Sequence, residues 1–435
     1  MPERAQKILI HGGRVLDPAS GVDGPAEVAI AEGRILAVGE RPDGFAPDLE
    51  IDATGQLVCP GLVDLAARLR EPGQEHKADI ASETRAAVAG GITTLCCPPD
   101  TDPVIDTPAV VELIRQRAEA AGQARVVTLG ALTQGLAGEQ LAEMAALREA
   151  GCCGLTNLFR PLANSLVLRR AYEYAATFGI TVFIHAEDHW LARDGCAHEG
   201  AVATRLGLPG IPAAAETAAV AYHLALIEET GVRAHFCRLT TERAVRMIAR
   251  ARYDGAPVTA DAAVPYLYLS EVDLGGFDTQ CHVHPPLRTL RDRDGLRAGL
   301  GRGTLDALCS DHQPHEADAK LDPFPSTEPG ISGLDTLLSL TLRLVDEGVL
   351  DLADAIGRLT IGPARILGLE ERGIGSLTPG KTADVIVLDI DAPWEVGPAS
   401  LLSRGHNTPF MGWQLGGRVS CTLVGGEVVF MRGEE

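Results

Sequence analysis

Gly91-Ile92-Thr93-Thr94-Leu95-Cys96-Cys97, followed after a proline-containing turn by the Ala/Glu/Arg-rich stretch Thr107 to Ala121, is the segment whose reading decides the fold. Ile92 to Leu95 is β-branched and apolar without alternation, as a strand covered on both faces must be, and Thr107 to Ala121 has the composition of a helix. The same alternation recurs downstream, with strands predicted at Arg125 to Leu129, Gly154 to Leu158, Thr181 to His185, Ala234 to Leu239, Val258 to Ala260 and Leu305 to Ser310. Upstream, Leu57 to Leu65 supplies one more and makes eight. Eight strands separated by helices over about 300 residues fit a closed (β/α)8 barrel, TIM-like, better than an open doubly wound sheet. Outside it, Ile8 to Asp52 and Ala383 to Arg432 are strand-and-turn text with repeated Gly-Gly and Gly-Arg turns. Two such segments at opposite ends of a chain pair most simply with each other. The expected layout is therefore a barrel over residues 59–368 and a small β-sandwich-like domain built from both termini, residues 1–58 and 369–435.

Bulk properties agree with this and exclude several functions. Of 435 residues, 46% are hydrophobic and 22% charged, ample for a large core. A net charge of −21 argues against nucleic acid or an anionic membrane as a partner, since both call for a cationic surface. No segment has the ~20 uninterrupted apolar residues of a membrane span, and Met1 to Gly12 has no long apolar run, so a cytoplasmic location is the default expectation. The ten cysteines, including Cys96-Cys97 and Cys152-Cys153 in apolar runs, read as buried strand thiols rather than a disulfide framework.

Barrel enzymes carry their chemistry at the carboxyl ends of the strands. Around those ends stand Pro60-Gly61-Leu62-Val63-Asp64, Leu69-Arg70-Glu71-Pro72-Gly73-Gln74-Glu75 and Ser310-Asp311-His312-Gln313-Pro314-His315, with Gly380-Lys381-Thr382-Ala383-Asp384 and Asn407-Thr408-Pro409-Phe410 further on. In this order these motifs resemble the dihydroorotase branch of the amidohydrolase superfamily, from end to end of the chain, with the Leu-Arg-Glu-Pro-Gly-Gln run as the most specific marker. The resemblance implies an amidohydrolase-type barrel. It also implies hydrolysis or formation of a cyclic amide at one or two Zn²⁺ ions, which polarise the carbonyl and supply a low-pKa hydroxide.

Strand by strand, the resemblance then fails at the ligands. After strand 1 the family has Asp-Leu-His-x-His-Leu-Arg, where this chain has Asp64-Leu65-Ala66-Ala67-Arg68-Leu69-Arg70. Both histidine positions, Ala66 and Arg68, are lost. After strand 4 the carboxylate position reads Asn157, within Thr156-Asn157-Leu158-Phe159, and after strand 6 the histidine position reads Arg238. His185 after strand 5 and Asp311 after strand 8, the family's general base, are kept. Two positions of six remain, and a catalytic zinc needs at least three protein ligands plus an open position. Alanine and guanidinium offer no lone pair. The expectation is that no metal is bound, that Asp311 is a relic of the general base, and that His185 and Asp311 now serve core hydrogen bonds.

The residues that in the family hold the substrate carboxylate map to Arg70, Asp100 and His315, with His284 at the asparagine of the Asn-Pro-Pro-Leu-Arg segment. Arg70 and His315 are retained. Asp100 replaces an amide donor by a carboxylate, which repels an anionic ligand. His282-x-His284 reads as part of this substrate region rather than as a metal pair. The loop Glu316 to Pro325 reads as a solvated lid remnant. Cys237 beside Arg238 has the makings of an activated nucleophile, but packing accounts for it.

By resemblance, then, the chain is a catalytically silent relative with a structural role in pyrimidine biosynthesis, and the partner implied is aspartate transcarbamoylase, whose assembly such inactive chains support. Self-association is left open. The rival from another class is an active dihydroorotase or related cyclic-amide hydrolase with unorthodox metal ligation; a third is a ligand-sensing module using Arg70 and His315. One structural expectation follows from the substitutions alone. A buried Asp311 stripped of metal needs a cation, so Arg68 or Arg238 is expected within about 2.7–3.2 Å of it, in bidentate contact if geometry allows.

Overall fold

The computed structural model describes residues 7–433; the ends of the expected β domain, Met1 to Gln6 and Glu434-Glu435, lie outside the described residues. Eight parallel strands stand in chain order around the barrel: Leu62–Asp64, Ile92–Cys97, Arg125–Ala131, Gly154–Thr156, Val182–Ile184, Ala234–Phe236, Val258–Ala263 and Ala307–Cys309. Each is paired in parallel with the next. The ring closes just past the strand ends, where the Arg68 N–H donates to the His312 carbonyl at 2.9 Å and the His312 N–H donates to that of Ala66 at 3.0 Å. Asp64 adds a side-chain stitch by accepting from the Ser310 N–H at 2.9 Å and from its hydroxyl. Burial raises the Asp64 carboxyl to about 6 even against these hydrogen bonds.

Two helix starts show how the sequence sets them. Thr107 precedes Pro108–Ala121, with proline at the first helical position, where its missing N–H costs nothing. Asp79 and Ser82 form a reciprocal capping box on Ile80–Ala89. One continuous core runs from inside the barrel to the helix undersides, including Val63, Cys96, Leu155, Phe236 and Leu308. All ten cysteines are free thiols, and most are buried.

The terminal segments build two sheets. The first has the order Arg34–Gly39, Glu27–Ala31, Lys7–His11, Leu49–Asp52; the second runs Glu427–Met431, Gln414–Val424, Val385–Glu395, Leu57–Pro60, Arg14–Asp17, Val22–Pro25. Ile8, Ile30 and Ile51 of one sheet share a core with Val15, Val58, Val385 and Leu423 of the other, the sandwich arrangement expected of two sheets with apolar inner faces.

Leu57 to Leu65 departs from the expectation of a single strand. Leu57–Pro60 pairs with Val385–Leu388 in the sandwich, and only Leu62–Asp64 enters the barrel. The break is at Gly61, where a Cβ would lie 2.3 Å from the Thr93 side chain, so only glycine lets the chain step from one sheet to the other. No helix among the described residues is long and apolar enough to cross a membrane.

Candidate functional site

Four residues at the barrel mouth sit with positive φ: Arg70 at 64°, Leu158 at 51°, Arg238 at 50° and Asp311 at 47°. Left-handed backbone at non-glycine positions costs on the order of 1–2 kcal/mol each and persists only where the surroundings impose it. It aims side chains from four strand ends across the mouth.

Arg238 is 3% exposed, and its Nη1 stands 3.1 Å from Asp311 Oδ1. The expected cation is therefore in place. The contact is single rather than bidentate, and it is a charge contact more than a directed hydrogen bond, because Oδ1 has no partner of acceptable hydrogen-bond geometry. Asp311 Oδ2 accepts from Gln313 Nε2 at 3.2 Å. Burial raises the Asp311 carboxyl, against the pull of Arg238 and then Arg68; Asp311 in turn holds the Arg238 guanidinium firmly charged despite its own burial. Arg68 bridges two acids, with Nε donating to Asp100 Oδ2 at 2.7 Å and Nη1 3.8 Å from Asp311 Oδ1. Burial acts to raise the Asp100 carboxyl, but the Arg68 charge and hydrogen bond outweigh it and hold the group below its usual range. The repulsive carboxylate inferred at position 100 is thus already neutralised by the guanidinium at a lost ligand position.

His185 is buried, with Nδ1 3.3 Å from the Thr156 hydroxyl, Nε2 unpartnered, and its ring edge-on to Phe159 at 4.9 Å. Burial and then the Arg238 charge keep it neutral. Asn157 accepts from the Thr133 hydroxyl at 2.6 Å and donates to the Arg160 carbonyl at 3.0 Å, so it braces its own loop. Ala66 is buried and offers only its backbone.

Arg70 donates to the Pro314 carbonyl and to Gln74 Oε1, both at 3.0 Å, and its Nη2 stands 3.1 Å from His315 Nε2. His315 also faces Lys77 Nζ at 3.3 Å through Nδ1 and the Pro329 carbonyl at 3.1 Å through Nε2. With Nδ1 accepting from Lys77, Nε2 carries the hydrogen and donates to Pro329, which leaves the Arg70 Nη2 contact without a hydrogen bond, an assignment from the network. Burial, then Arg70 and Lys77, depress His315 to about 2. His284 pairs with Glu187 at 3.0 Å and packs edge-on against Phe159 at 4.6 Å, while His282 bonds the Thr327 hydroxyl. The loop Glu316 to Pro325 is not a freely solvated lid: buried Lys320 donates to the Glu328 carbonyl at 2.6 Å, and Phe324 stacks near His282. Burial and then Asp261 push the Cys237 thiol well up, against Arg238, in keeping with a packing role.

Sequence reasoning missed two groups. Phe159 packs edge-on with His185 and His284 and lies 5.9 Å from the Arg238 guanidinium, so one aromatic ring links three of these side chains. Glu83, fully buried, accepts from His312 Nε2 at 2.8 Å, the Ser403 hydroxyl at 2.6 Å and the Arg404 N–H at 3.1 Å, tying the first barrel helix to strand 8 and the C-terminal segment. Its only sequence signal was an acid within an otherwise apolar helix face.

These donors do not fit a zinc centre. Asp311 is flanked by two guanidinium groups, which repel a dication and offer it nothing, and among the described residues no three His, Cys, Asp or Glu side chains cluster as metal ligands.

A (β/α)8 barrel carrying a sandwich made from both termini is also found in solved hydantoinases. L-hydantoinase from Arthrobacter aurescens superposes with a TM-score of 0.87 over 98% of this chain and 96% of that one, at 23% identity, a likeness of fold. The dihydro-orotase-like family profile matches residues 55–244 and an amidohydrolase family profile residues 318–430. A dihydroorotase-like protein of Pseudomonas putida is 50% identical over 97% of this chain and 98% of its own length, and a dihydroorotase of Anaeromyxobacter sp. (strain K) is 46% identical over 98% of each. The chain belongs to the dihydroorotase-like family.

Proposed function

We propose that this chain is a non-catalytic dihydroorotase homologue that serves pyrimidine biosynthesis as a structural subunit, supporting the assembly of aspartate transcarbamoylase. The observation that carries the loss of catalysis is Arg238 at a ligand position, 3.1 Å from the family's general base. A base engaged by a buried guanidinium is poorly placed to take a proton from water, and that guanidinium stands at a position where the family has a ligand to its Lewis acid. The relatives at about 50% identity whose names read dihydroorotase-like protein, in two Pseudomonas species, support a branch set apart from those named dihydroorotase. The partner rests on the family resemblance.

Two measurements test the reading. Purified protein is expected to carry less than one zinc per chain and to leave dihydroorotate unhydrolysed with Zn²⁺ added; stoichiometric tight zinc or turnover would make it an enzyme with unorthodox ligation. Mixed with aspartate transcarbamoylase at micromolar concentration, it is expected to co-elute in size-exclusion chromatography. Independent elution overturns the structural role.

A further inference from the structure

A cavity of about 450 Å³ opens beside the barrel mouth, between the strand Val182–Ile184 and the helices Ser165–Thr177 and Ala213–Thr230; neither Arg238 nor Asp311 borders it. Much of its wall is apolar, with Leu168, Ile184 and Ala219 facing it. Set into that wall is one neutral polar pair. Tyr172 is fully buried, and its hydroxyl stands 2.6 Å from His223 Nδ1. No other acceptor among the described residues takes the hydroxyl hydrogen, so Tyr172 donates to Nδ1 and the imidazole carries its own hydrogen on Nε2. Burial depresses His223 to about 4, which keeps the ring uncharged.

That Nε2–H has no hydrogen-bond partner in the protein. Unlike Nε2 of His185, which is sealed from solvent, it keeps accessible surface, on a half-buried residue that lines the cavity. The cavity is therefore offered a single uncharged donor in largely apolar surroundings, where a donor without an acceptor is unfavourable. Two aromatic side chains line it from the solvent side: Trp190, 75% exposed, and Tyr222, 42% exposed. Concave apolar space, exposed aromatic rings and one convergent polar group are the features of a small-molecule site. Charge disfavours an ionic ligand. Glu187 already pairs with His284 at 3.0 Å, and Asp188 accepts from the Trp190 and Leu191 N–H groups at 3.0 and 2.9 Å, so neither acid is left without a partner for a cation to satisfy. An anion would meet both acids, against Arg160, whose charge is screened by water at the surface.

We propose that this cavity binds a small neutral aromatic carbonyl compound, with its ring against Trp190 and the apolar wall and its oxygen accepting from His223 Nε2–H. A carbonyl accepts without donating, which suits a wall whose free polar group is a donor, whereas a water must also place two hydrogens of its own. The site stands apart from the aspartate transcarbamoylase reading, and neither outcome decides the other.

The test uses the full chain with acetophenone as probe and ethylbenzene, similar in shape but without the oxygen, as control. Each is titrated by isothermal titration calorimetry, and a crystal is soaked in acetophenone. Saturable binding of acetophenone is expected, about tenfold tighter than that of ethylbenzene, the ratio one hydrogen bond supplies. In His223→Phe, which keeps a ring and lacks the N–H, that preference should disappear. Ala218→Trp, at an exposed helix position that lines the cavity, should abolish binding of both compounds, and it keeps the test open should His223→Phe not fold. The soak is expected to show the carbonyl oxygen on Nε2. No saturable binding of acetophenone, equal affinity for ethylbenzene, a preference that persists in His223→Phe, binding unchanged in Ala218→Trp, or density only outside the cavity would overturn the proposal.

Discussion

Removing the guanidinium from Arg238 tests what balances the buried Asp311 carboxylate. At the 3.1 Å separation from Asp311 the charge interaction is about 5 kcal/mol for an effective dielectric constant of about 20. Arg68, 3.8 Å from the same oxygen, would keep part of that in Arg238→Met. Breaking one side of a buried ion pair generally costs about 3–5 kcal/mol, and with Arg68 in reserve the lower end, about 3 kcal/mol, is expected. Removing both partners should behave oppositely. In Arg238→Met with Asp311→Leu neither ion is left buried without a partner, Arg68 retains Asp100, and stability should return to within about 1 kcal/mol of the wild type or exceed it. The assay is urea unfolding of the four proteins of the cycle, followed by far-ultraviolet circular dichroism and by tryptophan fluorescence to check that one transition is seen. A coupling energy below about 1 kcal/mol would refute the claim that the guanidinium replaced the ions as the local positive charge.

Restoring histidines alone, in Ala66→His with Arg68→His, should not give dihydroorotate turnover, because Asn157 and Arg238 still stand at two ligand positions and Asp100 loses its partner; measurable hydrolysis would mean the ligand assignment is mistaken. Glu83→Gln places an amide among four groups that all donate to the present carboxylate, Ser82, His312, Ser403 and Arg404, and should cost about 2–3 kcal/mol in urea unfolding. Acid should destabilise the protein early: burial depresses His223 and His282 to about 4 and His315 to about 2. The unfolded chain, with histidines near 6.5, binds more protons below that pH, so stability is full above about 6.5 and is lost as pH falls toward 4. The three groups together contribute a loss of about 4 kcal/mol between pH 7.5 and 5.5, offset in part by the Asp64 and Asp335 carboxyls, raised to about 6, which take up protons in the folded state over the same range; an unchanged unfolding midpoint between those values would contradict the neutral assignments.

The barrel was legible because parallel strands buried on both faces leave uninterrupted β-branched runs, and Ile92–Cys97 and Val258–Ala263 proved longer than expected only at their ends. What hid the split of Leu57 to Leu65 is that both halves are apolar, so hydropathy cannot tell which sheet each joins; the contact between Gly61 and Thr93 is a three-dimensional fact. At the site, charge compensation was enough to place a guanidinium against Asp311. Arg68 dividing itself between Asp100 and Asp311 was not legible, nor was Phe159 packing with His185 and His284, because both depend on side-chain direction past the strand ends.

The strand Leu57–Pro60 also carries a consequence for how the chain is made. Its antiparallel neighbour begins at Val385, and Asn407, still later, caps the barrel mouth by accepting from the His315 N–H and donating to the Gln313 and Gly330 carbonyls. At a synthesis rate of about 5–20 residues per second, the early strand waits roughly 15–65 seconds on the ribosome with that edge unpaired. An open apolar edge of that duration is a target for pairing with another nascent chain. Production of this protein should therefore depend on holding chaperones and on slow initiation, and circular permutants that join the two ends and open the chain within the barrel helices should fold from shorter nascent intermediates.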